Sequence, residues 1–69
     1  MNTEIIFTVE EAPEGGYIAR AAGEAIFVEA DSVSDLRAQV RDAVSCHFDA
    51  KLAPKLIRLH FVREEVIAA

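Results

Sequence analysis

Apolar and polar residues alternate along residues 3–10, which is the pattern of a β-strand with two different faces. Ile5, Phe7 and Val9 fall on one face, and the even-numbered residues fall on the other. The next six residues contain a proline and two glycines. They predict a turn, because proline fixes its own backbone and glycine reaches positive φ without a steric clash.

Two more strand patterns follow this turn, over residues 17–22 and residues 25–30. Gly23 lies between them and marks a second tight turn. Three consecutive strands joined by short turns predict an antiparallel meander.

The middle of the chain carries a helix pattern. Ser32 is placed to cap the first turn, and Asp35 three residues later gives a weak form of the capping box. Apolar residues then recur at spacings of three and four and form one stripe along a helix. The stripe consists of Val33, Leu36, Val40, Ala43, Val44 and Phe48. Since Pro54 disfavours helical geometry at the residue before it, the helix is expected to fade over residues 49–52.

The last alternating segment, residues 55–65, predicts a fourth strand. The chain is therefore expected to be a single α+β domain over residues 1–69, in the order β-β-β-α-β. An antiparallel meander would carry one helix on one sheet face. Because a single helix covers only one face and the strands are apolar on both, the second face predicts an interaction surface.

Alternation along each strand assigns residues to this second face. A shift of one residue in any strand would exchange its two faces. The residues predicted for the interface are Ile6, Ile26, Val28, Arg58, His60 and Val62.

The length of the chain, 69 residues, favours self-association. A core this small rarely supplies more than about 3–5 kcal/mol. Cys46 is the single cysteine, so an internal disulfide cannot form, and a reducing compartment is indicated. A homodimer or tetramer is therefore expected. The start of the chain has no signal-peptide pattern, and no apolar run is long enough to span a bilayer. These features predict a soluble, cytoplasmic protein without a membrane partner.

The net charge of −5 comes from 12 acidic and 7 basic residues. Nucleic-acid binders normally carry a basic patch, and none is visible, so direct DNA or RNA binding is not expected. An acidic surface suits a basic protein partner through charge complementarity. The same charge would also keep a small protein soluble.

Residues with catalytic or metal-binding chemistry do not form a recognisable motif. Cys46 and His47 are adjacent, so their side chains diverge on a helix, and a helix C-terminus disfavours a thiolate. His60 on the fourth strand is interpreted as a structural or interface residue. Carboxylates on the first strand and the helix lack a spacing that forces them together. These are Glu4, Glu10, Asp35 and Asp42. No catalytic residue, metal or cofactor is therefore expected.

The hairpin and the helix entry together resemble the HicB-like antitoxin family. The residues that carry this resemblance are Glu-Gly-Gly-Tyr-Ile-Ala-Arg-Ala over residues 14–21, Gly23, and Glu-Ala-Asp-Ser-Val-Ser-Asp-Leu over residues 29–36. The resemblance implies a partial ribonuclease H-like fold without nuclease activity. It also implies binding and masking of a small basic mRNA-cleaving toxin of the HicA type. Many members carry a C-terminal DNA-binding module, and this sequence shows no counterpart after the fourth strand.

Two other functions stay open on the sequence. A small metal-dependent nuclease or hydrolase would need three carboxylates within metal-bridging distance. A ligand-binding domain with its pocket between subunits would show saturable binding of a small molecule to the oligomer.

Overall fold

A computed structural model of the chain describes residues 3–69, and it contains four strands and one helix in the predicted order. The elements are β1 (Glu4–Glu11), β2 (Tyr17–Ala21), β3 (Phe27–Ala30), α1 (Val33–His47) and β4 (Leu56–Val62). The predicted α+β class is confirmed. Within residues 3–69, no helix combines the length and the apolar character needed to cross a membrane.

The four strands form one mixed sheet in the order β3-β2-β1-β4. The predicted meander is confirmed, because β1 pairs antiparallel with β2 and β2 pairs antiparallel with β3. β4 pairs parallel with β1 at the far edge. Parallel neighbours need a long crossover connection, and α1 supplies it by leading from β3 at one edge to β4 at the other.

The hydrophobic core lies between α1 and one face of the sheet. The buried apolar residues are Ile5, Phe7, Val9, Ala19, Ile26, Val28, Ala30, Leu36, Val40 and Val44. Phe7 and Leu36 are fully buried. The predicted faces of β1 and of the helix are therefore correct. α1 packs mainly on β3 and β2, so β4 lies at the border of the region that the helix covers.

The predicted start of the helix is also confirmed. Ser32 has extended backbone geometry, and its Oγ accepts a hydrogen bond of 3.1 Å from the N–H of Asp35. The Asp35 carboxylate accepts a hydrogen bond from Gln39 one turn later. The end of the helix was predicted too late. Phe48 already leaves helical geometry, with φ −111 and ψ 148, while its N–H still donates to the carbonyl of Val44.

The structure contradicts two of the residues predicted for the second sheet face. Ile26 and Val28 are buried in the core under α1. The reason is the register of β3, which places Val28 opposite the buried Ala19 and turns Phe27 to the other side. The prediction was wrong because three consecutive apolar residues give no alternation from which a face can be assigned.

Candidate protein-interaction surface

The sheet face opposite α1 has no helix or strand packed on it within residues 3–69. We call it the open face. Its side chains come from alternate positions of all four strands: Glu4, Ile6, Thr8, Glu10, Ile18, Arg20, Phe27, Glu29, Leu56, Arg58, His60 and Val62. Three large apolar members are exposed to solvent, Ile6 at 42%, Phe27 at 53% and Leu56 at 62%. Several large apolar side chains exposed on one sheet face indicate an interaction surface more strongly than a single exposed residue does.

One row of side chains crosses the open face from edge to edge. The strand registers place Phe27 opposite Arg20, Arg20 opposite Thr8, and Thr8 opposite His60. The Arg20 guanidinium carbon lies 5.5 Å from the centroid of the Phe27 ring, a cation–π distance. Arg20 also lies 3.4 Å from a Glu10 carboxylate oxygen. These two contacts hold Arg20 across the face, so its charge is already compensated there.

A second ion pair joins β1 to its parallel neighbour, the edge strand β4. Arg58 on β4 donates from Nε to a carboxylate oxygen of Glu4 on β1. This hydrogen bond lowers the pKa of the Glu4 carboxyl and raises the pKa of the Arg58 guanidinium. The pair lies between the exposed side chains of Ile6 and Leu56, because Ile6 is opposite Arg58 and Leu56 is opposite Glu4.

The Glu4–Arg58 pair predicts a pH-dependent contribution to folding. Because the folded pKa of Glu4 is depressed, the pair stabilises the fold above the pKa of Glu4 in the unfolded chain. That contribution is lost as the pH falls through the lower, folded pKa. We expect Arg58→Gln to raise the Glu4 pKa towards its ordinary value. NMR titration of the Glu4 carboxyl measures this, with Arg63→Gln as the control. An equal Glu4 pKa in the two variants would contradict the pairing.

The C-terminal ends of β1 and β4 lie side by side at one end of the sheet, since these strands run parallel. A groove of about 550 Å³ lies there, and we call it the acidic groove. It is lined by Glu10, Glu11, Ala12, Pro13, Val62, Arg63, Glu64 and Val66. Carboxylates outnumber the single arginine in this lining, so the groove carries negative potential that attracts a basic group.

The structure brings four of the six predicted interface residues onto the open face. These are Ile6, Arg58, His60 and Val62. Phe27 was missing from the prediction, although it is the largest exposed apolar side chain on this face. The signal that identifies it is the pairing register of β3, and the run Ile26-Phe27-Val28 does not reveal that register by itself.

The residues with side chains suited to catalysis or metal binding are spread over the molecule. His47 Nε2 lies 3.0 Å from a Glu24 carboxylate oxygen, and Cys46 is exposed. Glu4 and Glu10 lie near opposite ends of β1, whereas the two helical aspartates lie on the other side of the sheet. In the part of the chain that the structure describes, no three His, Cys, Asp or Glu side chains are grouped so that they could hold a metal ion.

The fold and its surface define a small α+β domain whose sheet is covered by one helix on one face and open on the other. Comparison with known proteins then identifies the chain as a member of the UPF0150 family. It is 40% identical over 65 residues to a UPF0150 protein of Thermotoga maritima, a match that covers 94% of this chain and 91% of the relative. It is 50% identical over 52 residues to a UPF0150 protein of Archaeoglobus fulgidus, covering 75% of this chain and 77% of the relative. No family model and no solved structure matches the chain.

Proposed function

We propose that this chain is a non-catalytic protein-interaction module similar to the HicB antitoxins. It self-associates through the open face, and it masks a small basic mRNA-cleaving protein of the HicA type with its acidic surface. The observation that carries the proposal is the open face itself, a four-stranded sheet surface with exposed apolar side chains and no element packed on it within residues 3–69.

Burial of the open face would add substantially to the stability of so small a domain. Full burial of a large apolar side chain contributes about 1.5–3 kcal/mol, and Ile6, Phe27 and Leu56 are each about half exposed or more. The core alone is expected to supply only about 3–5 kcal/mol. A second copy that covers these three residues would therefore contribute an amount comparable to the whole fold.

The charges of the open face support self-association as well. Arg20 is paired with Glu10, and Arg58 is paired with Glu4, before any partner arrives. A charge that is buried without a partner costs several kcal/mol, whereas a charge buried together with its hydrogen-bonded partner costs much less. These two pairs can therefore enter an interface without leaving an uncompensated arginine.

A basic partner is supported by the charge of the rest of the surface. The net charge is −5, and the acidic groove concentrates carboxylates at one end of the sheet. A second copy on the open face would cover Glu10 and Val62 of this groove and leave Glu11, on the other face of β1, for the partner. Opposite charge would speed the encounter with a basic toxin and would disfavour acidic competitors.

The masking proposal is tested by co-expressing the chain with HicA-type mRNA-cleaving toxins in a bacterial host. We expect the native chain to restore growth and intact mRNA. The double variant Glu11→Lys and Glu14→Lys reverses charge at the acidic groove and the adjoining turn. It should bind the purified toxin about tenfold or more weakly. The double variant Asp42→Lys and Asp49→Lys changes the net charge equally at exposed sites on and just after α1.

The two double variants separate a local charge effect from a general one. Loss of protection only in the Glu11 and Glu14 variant supports the acidic groove as the toxin-binding site. Equal binding by both variants would contradict the electrostatic part of the proposal. Failure of the native chain to protect against any of the toxins would contradict masking.

A further inference from the structure

β4 has an outer edge with free backbone groups. The N–H of Leu56 donates to the carbonyl of Thr3 at 2.9 Å, so the even-numbered residues of β4 turn their backbone groups towards β1. Alternate residues of a strand point these groups to opposite sides. Ile57, Leu59 and Phe61 therefore turn their N–H and C=O groups outward. A seven-residue edge of this kind is a template for another strand.

The side chains beside this edge form a cleft between β4 and α1. The cleft has a volume of about 240 Å³ and is lined by Arg37, Val40, Arg41, Ile57 and Leu59. It is open because α1 packs mainly on β2 and β3. Ile57 and Leu59 are only partly buried there. The cleft thus combines an apolar floor with two guanidinium groups.

Residues 63–69, which we call the tail, carry acidic and apolar side chains that complement the basic and apolar lining of the cleft. They belong to no helix or strand, and all of them are exposed. Val66 is 93% exposed and Ile67 is 78% exposed. Glu64 and Glu65 precede this apolar pair directly. In an extended strand, Glu64 and Val66 share one face, and Glu65 and Ile67 share the other. Either face therefore presents a carboxylate and a large apolar side chain, which match two guanidinium groups beside an apolar floor.

The tail is long enough to pair along the whole of β4 in a neighbouring molecule. The chain measures 51 Å in its longest dimension and only 22 and 18 Å in the other two. A strand rises roughly 3.3 Å per residue, so an extended segment of this length spans about 23 Å. That is the length of β4, which also has seven residues.

Pairing of the tail with β4 of its own chain is disfavoured by the turn that it would need. The chain would have to reverse directly after Val62, with Arg63 and Glu64 as the two central residues of a hairpin turn. The turns favoured at such positions require positive φ and are dominated by glycine and asparagine. Among residues 3–69, positive φ occurs only at glycines. The match between tail and cleft therefore favours a contact between two molecules.

We propose that the tail of each copy pairs as an added strand with the outer edge of β4 in a second copy, in a reciprocal exchange. The outward backbone groups of β4 supply main-chain hydrogen bonds, and the cleft supplies selectivity for side chains. Because strand side chains alternate, one tail carboxylate lies towards Arg37 and Arg41, and the apolar side chain two residues after it closes the cleft. This contact uses a sheet edge and not the open face, so it stands independently of the proposed self-association. It shares Glu64 and Val66 with the lining of the acidic groove.

The exchange is tested by NMR on the full chain, with ¹³C-labelled and unlabelled copies mixed in equal amounts. We expect intermolecular NOEs to the methyl groups of Ile57 and Leu59 from whichever of Val66 and Ile67 shares their face in the paired strand. We also expect slow hydrogen exchange at the amides of Ile57 and Leu59. The absence of intermolecular NOEs, or their restriction to contacts within one chain, would overturn the proposal.

Two neutral variants test whether the apolar pair of the tail makes the contact. Val66→Ser with Ile67→Ser should abolish the intermolecular NOEs and accelerate amide exchange on β4. Ala68→Ser with Ala69→Ser should leave both unchanged. Equal behaviour of the two variants would overturn the assignment. Phe27→Glu acts on the open face and should preserve the tail NOEs, so failure of the exchange is distinguishable from failure of the proposed self-association.

A charge exchange tests the polar half of the contact. One variant carries Arg37→Glu with Arg41→Glu, and the other carries Glu64→Arg with Glu65→Arg. Each variant on its own should lose the tail contact, because like charges then face each other in both halves of the dimer. Mixing the two variants should restore the contact, since both halves become complementary. If mixing restores no intermolecular NOE, the charge pairing is wrong.

Discussion

Replacing Phe7 with alanine is expected to leave most of the chain unfolded at 25 °C. Phe7 is fully buried at the centre of β1, opposite Ala21 on β2 and Leu59 on β4. Truncation of a buried phenylalanine costs about 3–5 kcal/mol, because the lost burial is followed by a cavity that the surroundings fill only partly. A core of this size supplies about the same amount. Urea unfolding followed by circular dichroism measures the difference in the free energy of unfolding.

Phe27→Ala is the matched control, since it removes the same side chain from the open face. About half of Phe27 is already exposed to solvent, and one of its contacts is the exposed guanidinium group of Arg20. We expect its effect on the unfolding of a single copy to be much smaller than that of Phe7→Ala. The two variants are compared over the same range of protein concentration. Equal destabilisation would mean that the core does not lie between α1 and the predicted face of β1.

Replacing Gly16 with alanine is expected to be the second most damaging change. Gly16 has φ +81, and a Cβ there would lie 2.6 Å from the backbone carbonyl oxygen of Ala30 at the end of β3. Left-handed geometry costs a residue with a Cβ about 1–2 kcal/mol. The contact adds to this cost, because the obstructing atom belongs to the backbone and cannot move to another rotamer. The start of β2 and the end of β3 should therefore separate.

Gly15→Ala isolates the contact from the backbone conformation. Gly15 also has positive φ, at +103, but a Cβ at this position would meet nothing within 4 Å. We expect Gly15→Ala to lower the free energy of unfolding only by the cost of the left-handed backbone conformation. Gly16→Ala should lower it clearly more in the same urea titration. If the two variants unfold at the same urea concentration, the close approach of the hairpin to β3 is not present in solution.

The parts of the fold with an unambiguous period could be predicted from the sequence. β1 contains the apolar run Ile5-Ile6-Phe7, but the polar residues at positions 4, 8 and 10 still assign its faces. The helical stripe contains the buried residues Leu36, Val40 and Val44. β3 could not be assigned in the same way, because Ile26, Phe27 and Val28 are all apolar. Which of them lies under the helix is decided by pairing with Ala19 on β2, a contact that local periodicity does not report.

The existence of the open face could be predicted, but the ion pairs on it could not. A count of one helix against four strands is enough to show that one sheet face lacks a cover. The pair of Glu4 and Arg58 depends on the parallel register of β1 and β4, which joins residues 54 positions apart. The free edge of β4 likewise depends on the strand order β3-β2-β1-β4, which hydrophobic patterning leaves undetermined.

Self-association as proposed buries the open face against a second copy of the chain. The most direct test is the solution mass by light scattering across a dilution series, for the native chain, for Phe27→Glu and for Ala38→Glu. Ala38 lies on the exposed side of α1, so its variant controls for the added charge. We predict a stable native tetramer that uses both the open face and the tail exchange, the same mass for Ala38→Glu, and half that mass for Phe27→Glu, a dimer joined by the tails. A native chain that remains a folded monomer at every concentration, or a Phe27→Glu variant with the native mass, would contradict the account.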